Sequence, residues 1–250
     1  MCKTAVGIVC GFFLAACISG CQTGKVREKT EDTVTLRAAE SLIEEEDYRD
    51  AIEVLKNMIN DHPSSPLLEK AYFDIGKAYH LDEQNVEAEV ALDDFMRLYP
   101  DSELIPEALF LKGKNTERDK EKPGRDQSFT ESAIGTYSQI VTKYPESASA
   151  KEARERISAL KDTLAKHELL VARFYFKTKK FLSAEKRLKM AFEKYADTGT
   201  APEIVSLLAE TYLAEEKRDE ALKLLEFMER NYPESDETDN IREEIKGAGR

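Results

Sequence analysis

The sequence predicts an all-α fold in which five helix pairs stack into a solenoid. Of the 250 residues 34% are charged, eleven are glycine and none is tryptophan, a composition that favours a helix-rich chain with a solvated exterior. A short turn motif recurs five times, and an alanine stands twelve residues before its second residue, which is proline in four of the copies. Such self-similarity indicates repeated supersecondary units that bury their apolar faces against one another.

The turn motif consists of tyrosine or histidine, then proline, then short polar residues. Its copies are His62-Pro63, Tyr99-Pro100, Tyr144-Pro145, Tyr195-Ala196 and Tyr232-Pro233, and the alanines before them are Ala51, Ala88, Ala133, Ala184 and Ala221. The spacings of 37, 45, 51 and 37 residues are typical of the tetratricopeptide repeat, a pair of antiparallel helices. We expect the alanines, with Gly76 and Gly113, where two helices approach closely. Proline ends each second helix because it lacks an amide hydrogen.

An export signal is predicted at the N-terminus. A lone Lys3 precedes an apolar run from Ala5 to Ile18, an arrangement typical of signal peptides. The following sequence, Ile18-Ser19-Gly20-Cys21, resembles the lipobox of bacterial lipoproteins, in which the cysteine receives the lipid and becomes the new N-terminus. Cys21 is therefore the expected lipidation site. The alternative is an uncleaved transmembrane helix, but the fourteen apolar residues fall short of the roughly 20 that cross a bilayer.

These patterns divide the chain into four segments. Residues 1–20 are the predicted signal peptide, and residues 21–31, which lack apolar periodicity, are a lipidated flexible tether. Residues 32–148 hold repeats one to three. Residues 149–250 hold repeats four and five, with a long connecting helix and a charged tail that caps the stack or frays.

Local sequence patterns add detail to the predicted helices and loops. Residues 117–128 carry almost no apolar side chain, so we expect a surface loop between the two helices of repeat three. Apolar residues recur every three or four positions from Ser149 to about Lys177, which predicts one long helix between the two groups of repeats. Ser149 with Glu152, and Thr200 with Glu203, have the spacing of capping boxes.

The net charge limits the possible partners, and the positions of the cysteines exclude disulfides. Without residues 1–20 the chain has 36 basic and 49 acidic residues, a net charge of −13. An acidic protein is a poor ligand for nucleic acid, and attachment to a membrane is expected through the acyl chains rather than through charge. All four cysteines lie at or before position 21, so the folded part can form no disulfide.

No catalytic constellation, metal-ligand set or cofactor motif is found. His62, His80 and His167 belong to separate repeats, and none stands near another histidine or a cysteine at metal-ligand spacing. There is no glycine-rich phosphate-binding loop, and the many carboxylates follow solvated helix faces. The sequence therefore predicts a binding protein rather than an enzyme, with no cofactor.

The expected binding surface is the groove formed by the first helices of the repeats. By repeat register this groove includes Phe73, Lys77, His80, Phe110 and Lys114. Aromatic rings beside lysines suit an extended peptide that ends in an aromatic residue and a carboxylate. The alternative is that Phe73 and Phe110 are core residues between repeats and that the lysines are merely solvated.

The whole chain resembles the BamD family of outer-membrane protein assembly factors. The resemblance extends from the lipobox to about Pro233 and is most specific in three stretches. These are Arg125-Asp126, the turn Tyr144-Pro145-Glu146-Ser147, and the run Leu-Lys-Asp-Thr-Leu-Ala-Lys-His-Glu at residues 160–168 that continues to Tyr175. The chain departs from the family in having Ala196 in place of the fourth proline and in its short loop at residues 117–128.

The resemblance implies a lipoprotein on the periplasmic face of the outer membrane. It implies a BamA-type β-barrel insertase and other assembly lipoproteins as partners, and unfolded outer-membrane proteins as substrates received by the N-terminal repeats. Arg187, on the second helix of repeat four, stands where the family uses an arginine to dock the insertase.

Two other functions remain as alternatives. A general periplasmic tetratricopeptide scaffold that coordinates cell-envelope or cell-wall proteins would usually begin with a coiled coil, and no heptad run precedes the repeats here. An envelope hydrolase would need a catalytic domain, for which the repeats leave no residues.

Overall fold

The computed structural model describes the backbone of residues 20–120 and 122–247, and the side chains of these residues from residue 31 onward. All regular elements in this part are α-helices: α1 (Gly20–Glu44), α2 (Tyr48–Asp61), α3 (Leu68–Leu81), α4 (Asn85–Leu98), α5 (Ile105–Arg118), α6 (Ser128–Lys143), α7 (Ala148–Lys177), α8 (Phe181–Tyr195), α9 (Ala201–Ala214), α10 (Arg218–Asn231) and α11 (Asp236–Gly247). The predicted signal peptide, apart from the backbone of Gly20, lies outside the described residues. So does the side chain of Cys21, the predicted lipidation site.

The helices form five consecutive pairs, α1/α2 to α9/α10, in which each helix packs against the next along the chain. The predicted all-α tetratricopeptide-repeat solenoid of five helix pairs is confirmed. The charged tail adds an eleventh helix, α11, which packs against α9 and α10. Its Thr238, Ile241 and Ile245 are buried, so this helix covers the last apolar face of the stack.

Small residues bring the helices of a pair together. All five repeat alanines are fully buried. On α3, a Cβ atom at Gly76 would lie 2.6 Å from Leu92 Cδ2, and on α5 a Cβ atom at Gly113 would lie 2.5 Å from Tyr137 Cε1. Both distances are shorter than van der Waals contact, so the partner side chains occupy the space that a larger residue would need.

The turns that join the two helices of a pair share a recurring geometry. Four of them have three residues, and the central one adopts a left-handed conformation: Glu46 (φ 65°), Glu83 (φ 59°), Lys179 (φ 58°) and Glu216 (φ 62°). This conformation costs a residue other than glycine about 1 kcal/mol. A Schellman hydrogen bond offsets this cost. In the turn between α3 and α4, for example, Gln84 N donates to Tyr79 O at 3.0 Å. The third pair instead has a longer connection, residues 119–127.

Proline ends the second helices as predicted. Helices α2, α4, α6 and α10 each end two residues before a proline. Helix α8, which is followed by Ala196 in place of proline, continues to Tyr195. Because a proline restricts the residue before it to extended conformations, the helix without one runs a residue further.

Helix α7 joins the two halves of the core. Its 30 residues extend about 45 Å at 1.5 Å per residue. Ala150, Ala153 and Leu160 pack into the cluster of the second and third pairs. Leu164 and Leu169 pack into the cluster of the last two pairs. The long helix predicted for this region therefore connects the two groups of repeats through continuous packing.

Two local expectations were wrong. Residues 21–31, expected to be a flexible tether, are part of α1. They contain no proline and are rich in lysine, arginine and glutamate, which are good helix formers, so the helix extends from the first repeat. The capping boxes are also absent, since α7 begins before Ser149. The Thr200 hydroxyl donates to Asp162 Oδ1 at 2.8 Å, across to α7, instead of capping α9.

Candidate functional site

The first helices of successive pairs form the inner surface of the solenoid. Helices α1, α3, α5, α7, α9 and α11 each contact the next in this series. The backbones of α2, α4, α6, α8 and α10 lie further apart from one another, although Phe192 on α8 and Phe227 on α10 meet with ring centroids 5.5 Å apart. The first helices therefore converge and the second helices diverge, which gives one concave and one convex face. The groove expected from the sequence lies on the concave face.

The two phenylalanines assigned to this groove are instead core residues. Phe73 is 2% exposed, and its ring centroid lies 5.5 Å from that of Phe95 in an edge-to-face arrangement. Phe110 is 9% exposed and lies 5.5 Å from the Tyr137 ring. Both rings fill the space between the helices of a pair, so the assignment of Phe73 and Phe110 to the peptide groove is corrected and the alternative, that they are core, holds.

His80 is also removed from the groove. It is 1% exposed, and its Nδ1 is hydrogen-bonded to Asn115 Oδ1, which joins α3 to α5. Burial lowers the pKa of His80, and the charges of Arg118 and Lys114 lower it further, against the opposing effect of the Asn115 hydrogen bond. His80 is therefore a neutral structural side chain.

Lys77 and Lys114 remain available on the inner surface. Both are half-buried, and within the part of the chain that the structure describes neither forms an ion pair or a side-chain hydrogen bond. The nearby Lys70 is engaged, since its Nζ lies 3.5 Å from Glu40 Oε1 and is also bonded to Asp74. Burial raises the pKa of Asp74, although Lys70 opposes this effect. Two ammonium groups on adjacent repeats thus form no ion pair, although the charge of Lys77 joins Lys70 in opposing the rise in the pKa of Asp74.

Arg187 lies on α8 and pairs with α7. Its Nη1 is 2.5 Å from Glu168 Oε2, at the edge of a cavity of about 360 Å³ that Lys186, Met190 and Lys194 also line. Three basic side chains and one acidic side chain give this cavity a positive balance. An acidic partner can compete with Glu168 for the guanidinium.

Sequence reasoning missed a set of exposed apolar side chains on the same two helices. Leu170 and Phe174 on α7, and Leu182 and Met190 on α8, are each at least half exposed. Isolated apolar residues on a surface are ordinary, but several on neighbouring helices are typical of interaction sites. In the sequence they could be recognised only as apolar residues at positions that do not hold the helices of a pair together.

The connection in the third pair is anchored rather than freely exposed. Gln127 is buried, and its Nε2 donates to the carbonyl oxygens of Lys122 and Arg125 at 3.0 and 3.1 Å. His167 Nδ1 on α7 lies 2.5 Å from Pro123 O. The loop expected at residues 117–128 is therefore shorter than predicted, residues 119–127, and is fastened to the long helix.

Two features are absent from the described part of the chain, a cluster of metal ligands and a membrane-spanning helix. Among residues 31–120 and 122–247, no three His, Cys, Asp or Glu side chains are grouped so that they could hold a metal ion. In the same part of the chain, no helix is both long enough and apolar enough to cross a membrane. The features that stand out are surfaces suited to binding polypeptide.

Comparisons with known proteins agree on one family. A family model described as YfiO, outer membrane lipoprotein, matches residues 28–221. Proteins named outer membrane protein assembly factor BamD are similar to the chain. The one from Caulobacter vibrioides is 27% identical over 231 residues, covering 90% of this chain and 75% of the relative. The one from Neisseria gonorrhoeae is 25% identical over 246 residues, covering 93% and 92%.

Solved structures of other repeat proteins are also matched by this chain. The TPR2AB domain of yeast Sti1, solved as a complex with pHSP90, is 14% identical with a TM-score of 0.48, and the match covers 91% of this chain and 84% of that one. A thermophilic TPR protein of Thermus thermophilus is 18% identical with a TM-score of 0.38, covering 87% and 98%. Neither similarity bears on a ligand.

Proposed function

Because the chain belongs to the YfiO family of outer membrane lipoproteins, we propose that it is a lipid-anchored adaptor that helps to insert β-barrel proteins into the outer membrane. The observation that carries this proposal is the family match over residues 28–221, together with relatives named as BamD along nearly the whole chain. The protein acts by binding and is not an enzyme. Its place is the periplasmic face of the outer membrane, with the lipid on Cys21.

The N-terminal repeats receive unfolded outer-membrane proteins through a C-terminal targeting segment. Lys77 and Lys114, which form no ion pair of their own, support this role because each can meet the terminal carboxylate of a peptide. Since Phe73, His80 and Phe110 are buried, the two lysines make the contacts with the peptide. The three buried rings only stabilise the packing of the helices beneath them.

Reversing the two charges, Lys77→Glu with Lys114→Glu, should weaken binding of a labelled peptide that copies the last ten residues of a barrel protein about tenfold. The reason is that two attractions of up to about 1 kcal/mol each become repulsions. Fluorescence anisotropy measures the affinity. Lys143→Glu with Lys151→Glu, at exposed positions on α6 and α7, is the control of equal charge. Equal affinity of the test variant and the control would show that the two lysines are not the receptor.

The C-terminal repeats dock the insertase through the Arg187 cavity. The positive balance of the cavity and the exposed apolar side chains of α7 and α8 support a partner that has a carboxylate beside apolar groups. Other assembly lipoproteins are expected in the same complex.

Charge reversal at Arg187 should lower the affinity for detergent-purified insertase at least tenfold. Arg187→Glu removes the attraction and places two carboxylates, 168 and 187, side by side. A swap variant, Glu168→Arg with Arg187→Glu, restores the internal ion pair but leaves the partner facing the wrong charge, so it should remain defective. Arg230→Glu on α10 is the control. If the swap variant binds normally, Arg187 acts by pairing with Glu168 and not by docking.

A further inference from the structure

An apolar groove opens on the outer surface between the first two helix pairs. It has a volume of about 520 Å³ and is lined by α2, α3 and α4. Val86 and Val90, one turn apart on α4, line one wall and are 73% and 59% exposed. The other apolar side chains of the lining are Ile59, Tyr72, Ile75, Tyr79 and Ala91. Apolar side chains grouped in this way are typical of interaction sites.

The repeat pattern does not require the two exposed valines. Counted from the repeat alanines, the equivalent positions on the other second helices hold Arg49 and Glu53, Glu131 and Gly135, Leu182 and Lys186, and Asp219 and Lys223. Valine is a poorer helix former than the lysine, arginine and glutamate that occur there. The fold therefore gains nothing from Val86 and Val90, and binding is the remaining reason for an apolar wall.

The equivalent groove over α5 is narrowed by an ion pair. There Lys112 stands at the repeat position of Ile75, and Asp93 at that of Lys56. Lys112 Nζ lies 2.6 Å from Asp93 Oδ1, and the cavity beside them has a volume of about 340 Å³. Over α3 the isoleucine cannot form such a pair, and Lys56 Nζ donates to the Tyr79 hydroxyl at 2.7 Å instead.

The equivalent groove over α9 is filled by aromatic rings. Phe192 and Phe227 stand at the repeat positions of Ile59 and Asp94, and their ring centroids are 5.5 Å apart. Over α3 the isoleucine is smaller than phenylalanine, and Asp94 Oδ1 lies 2.7 Å from Arg97 Nη2. The first groove is therefore open because it lacks the side chains that occupy these two of its equivalents.

The size and polarity of the groove favour a helix as its occupant. The stretch from Val86 to Asp94 extends about 12 Å at 1.5 Å per residue, which is about two helical turns. The backbone of an extended segment would lose water against the apolar lining without gaining hydrogen-bond partners, whereas a helix satisfies its own backbone. An amphipathic helix that lays its apolar face into such a groove is a common mode of recognition.

The rim of the groove adds a charge requirement. Glu87 on α4 lines the groove, is exposed, and forms no ion pair with any residue that the structure describes. Lys56, on the opposite wall, is already engaged by the Tyr79 hydroxyl. A basic side chain beside the apolar face of an incoming helix would complement Glu87.

We propose that this groove binds an amphipathic helix of a partner protein. Apolar side chains spaced three and four residues apart lie between α2 and α4, where they cover Val86 and Val90, and a lysine or arginine of the same helix meets Glu87. The groove shares no residue with the Arg187 cavity or with the inner surface around Lys77 and Lys114, so the proposal does not rest on the proposed function.

The test uses the full chain in detergent and labelled peptides. The helical peptide, Glu-Ala-Leu-Gln-Lys-Leu-Leu-Gln-Ala-Leu-Lys-Gln-Leu, carries its leucines on one helix face. The alternating peptide, Leu-Gln-Leu-Lys-Leu-Glu-Leu-Gln-Leu-Lys-Ala-Gln-Ala, has the same composition and charge but a period of two. Fluorescence anisotropy should show that the helical peptide binds at least tenfold more tightly than the alternating peptide.

Replacing the apolar wall should remove this binding. Val86→Ser with Val90→Ser should weaken the affinity for the helical peptide about tenfold or more, because two buried apolar contacts are lost. Val34→Ser with Leu222→Ser, at exposed apolar positions on α1 and α10, is the matched control and should have no effect. All four side chains are exposed, so thermal unfolding should give an unchanged melting temperature for both variants.

Two further variants test the shape and the charge of the groove. Ile59→Phe with Asp94→Phe should fill it as Phe192 and Phe227 do over α9, and should abolish binding without lowering the melting temperature. Glu87→Lys should reverse the charge preference. This variant should bind a third peptide, with glutamate in place of both lysines of the helical peptide, more tightly than the helical peptide itself.

Three outcomes would overturn the proposal. Equal affinity for the helical and alternating peptides would show that the groove does not select a helix, and equal loss in the Val34/Leu222 control would show unspecific adhesion. A dimer of the unaltered chain in analytical ultracentrifugation, dissociated by Val86→Ser with Val90→Ser, would show that a second copy occupies the groove. Arg187→Glu, which tests the proposed function, should change the affinity for the helical peptide by no more than about twofold.

Discussion

Replacing Phe95 by alanine is expected to lower the free energy of unfolding by about 3–5 kcal/mol, the usual cost of removing a buried phenylalanine. The Phe95 side chain is fully buried on α4. Its ring lies 5.5 Å from Phe73 and 6.0 Å from Tyr99. It therefore joins α3, α4 and the following turn. Because a repeat is stabilised mainly by its neighbours, this loss should weaken the whole N-terminal half.

Chemical denaturation followed by circular dichroism measures the effect. Val90→Ala, on the same helix at a position 59% exposed, is the control and should change the free energy of unfolding by no more than about 0.5 kcal/mol. A typical domain is stable by only about 5–15 kcal/mol, so the Phe95 variant should unfold at clearly lower denaturant concentration. A cost below about 1 kcal/mol would mean that α4 does not pack as described.

Replacing Cys21 by alanine is expected to move the protein from the membrane fraction to the soluble fraction. Acyl chains bind membranes by burying methylene groups, and stable anchoring needs more than one chain. The acidic surface gives anionic lipid no compensating attraction. Fractionation of cells, with mass spectrometry of the N-terminal peptide, measures both the location and the lipid. Cys17→Ala, within the predicted signal peptide, is the control and should remain membrane-bound.

Docking to a membrane-embedded partner retains a part of the Cys21→Ala protein, so the decisive variant combines Cys21→Ala with Arg187→Glu. This double variant should be soluble. If it stays in the membrane fraction to the same extent as the unaltered chain, the lipid on Cys21 is not the main attachment.

The helix pairs were predictable because the constraints on them are local. A proline two residues after a helix, or a small residue where two helices touch, acts within a few turns of chain. For this reason the positions of Gly76 and Gly113, and the helix ends before the prolines, follow from the sequence and are found in the structure. The length of α7 was predictable for the same reason, since apolar periodicity marks a helix wherever it is unbroken.

The groove was only partly predictable because helical spacing does not tell an inner surface from the contact between helices. Phe73 and Phe110 occupy equivalent positions in two repeats, and both rings point between the helices of their pair. Lys77 and Lys114 are also equivalent, and both remain accessible. Which side of a first helix faces the groove depends on how the next repeat packs, and that is a tertiary property.

A cleft between α7, α9 and α11 that is lined mainly by acidic side chains could not be predicted at all. Glu210 on α9 and Glu244 on α11 are separated by α10 and meet only when α11 covers α9. In the sequence Glu210 stands in a mostly apolar helix and Glu244 in a charged one, and neither pattern predicts that the two approach each other. The hydrogen bond of Thr200 could not be predicted for the same reason, because its partner Asp162 lies on a different repeat.

The central claim, an adaptor role in outer-membrane protein assembly, is tested most directly by purifying the protein from native membranes in mild detergent and identifying by mass spectrometry what co-purifies in stoichiometric amount. The account predicts a large β-barrel protein with periplasmic domains, present with the unaltered chain and depleted with Arg187→Glu. Recovery of cell-wall enzymes, or of no stoichiometric partner, would contradict it and favour a general envelope scaffold.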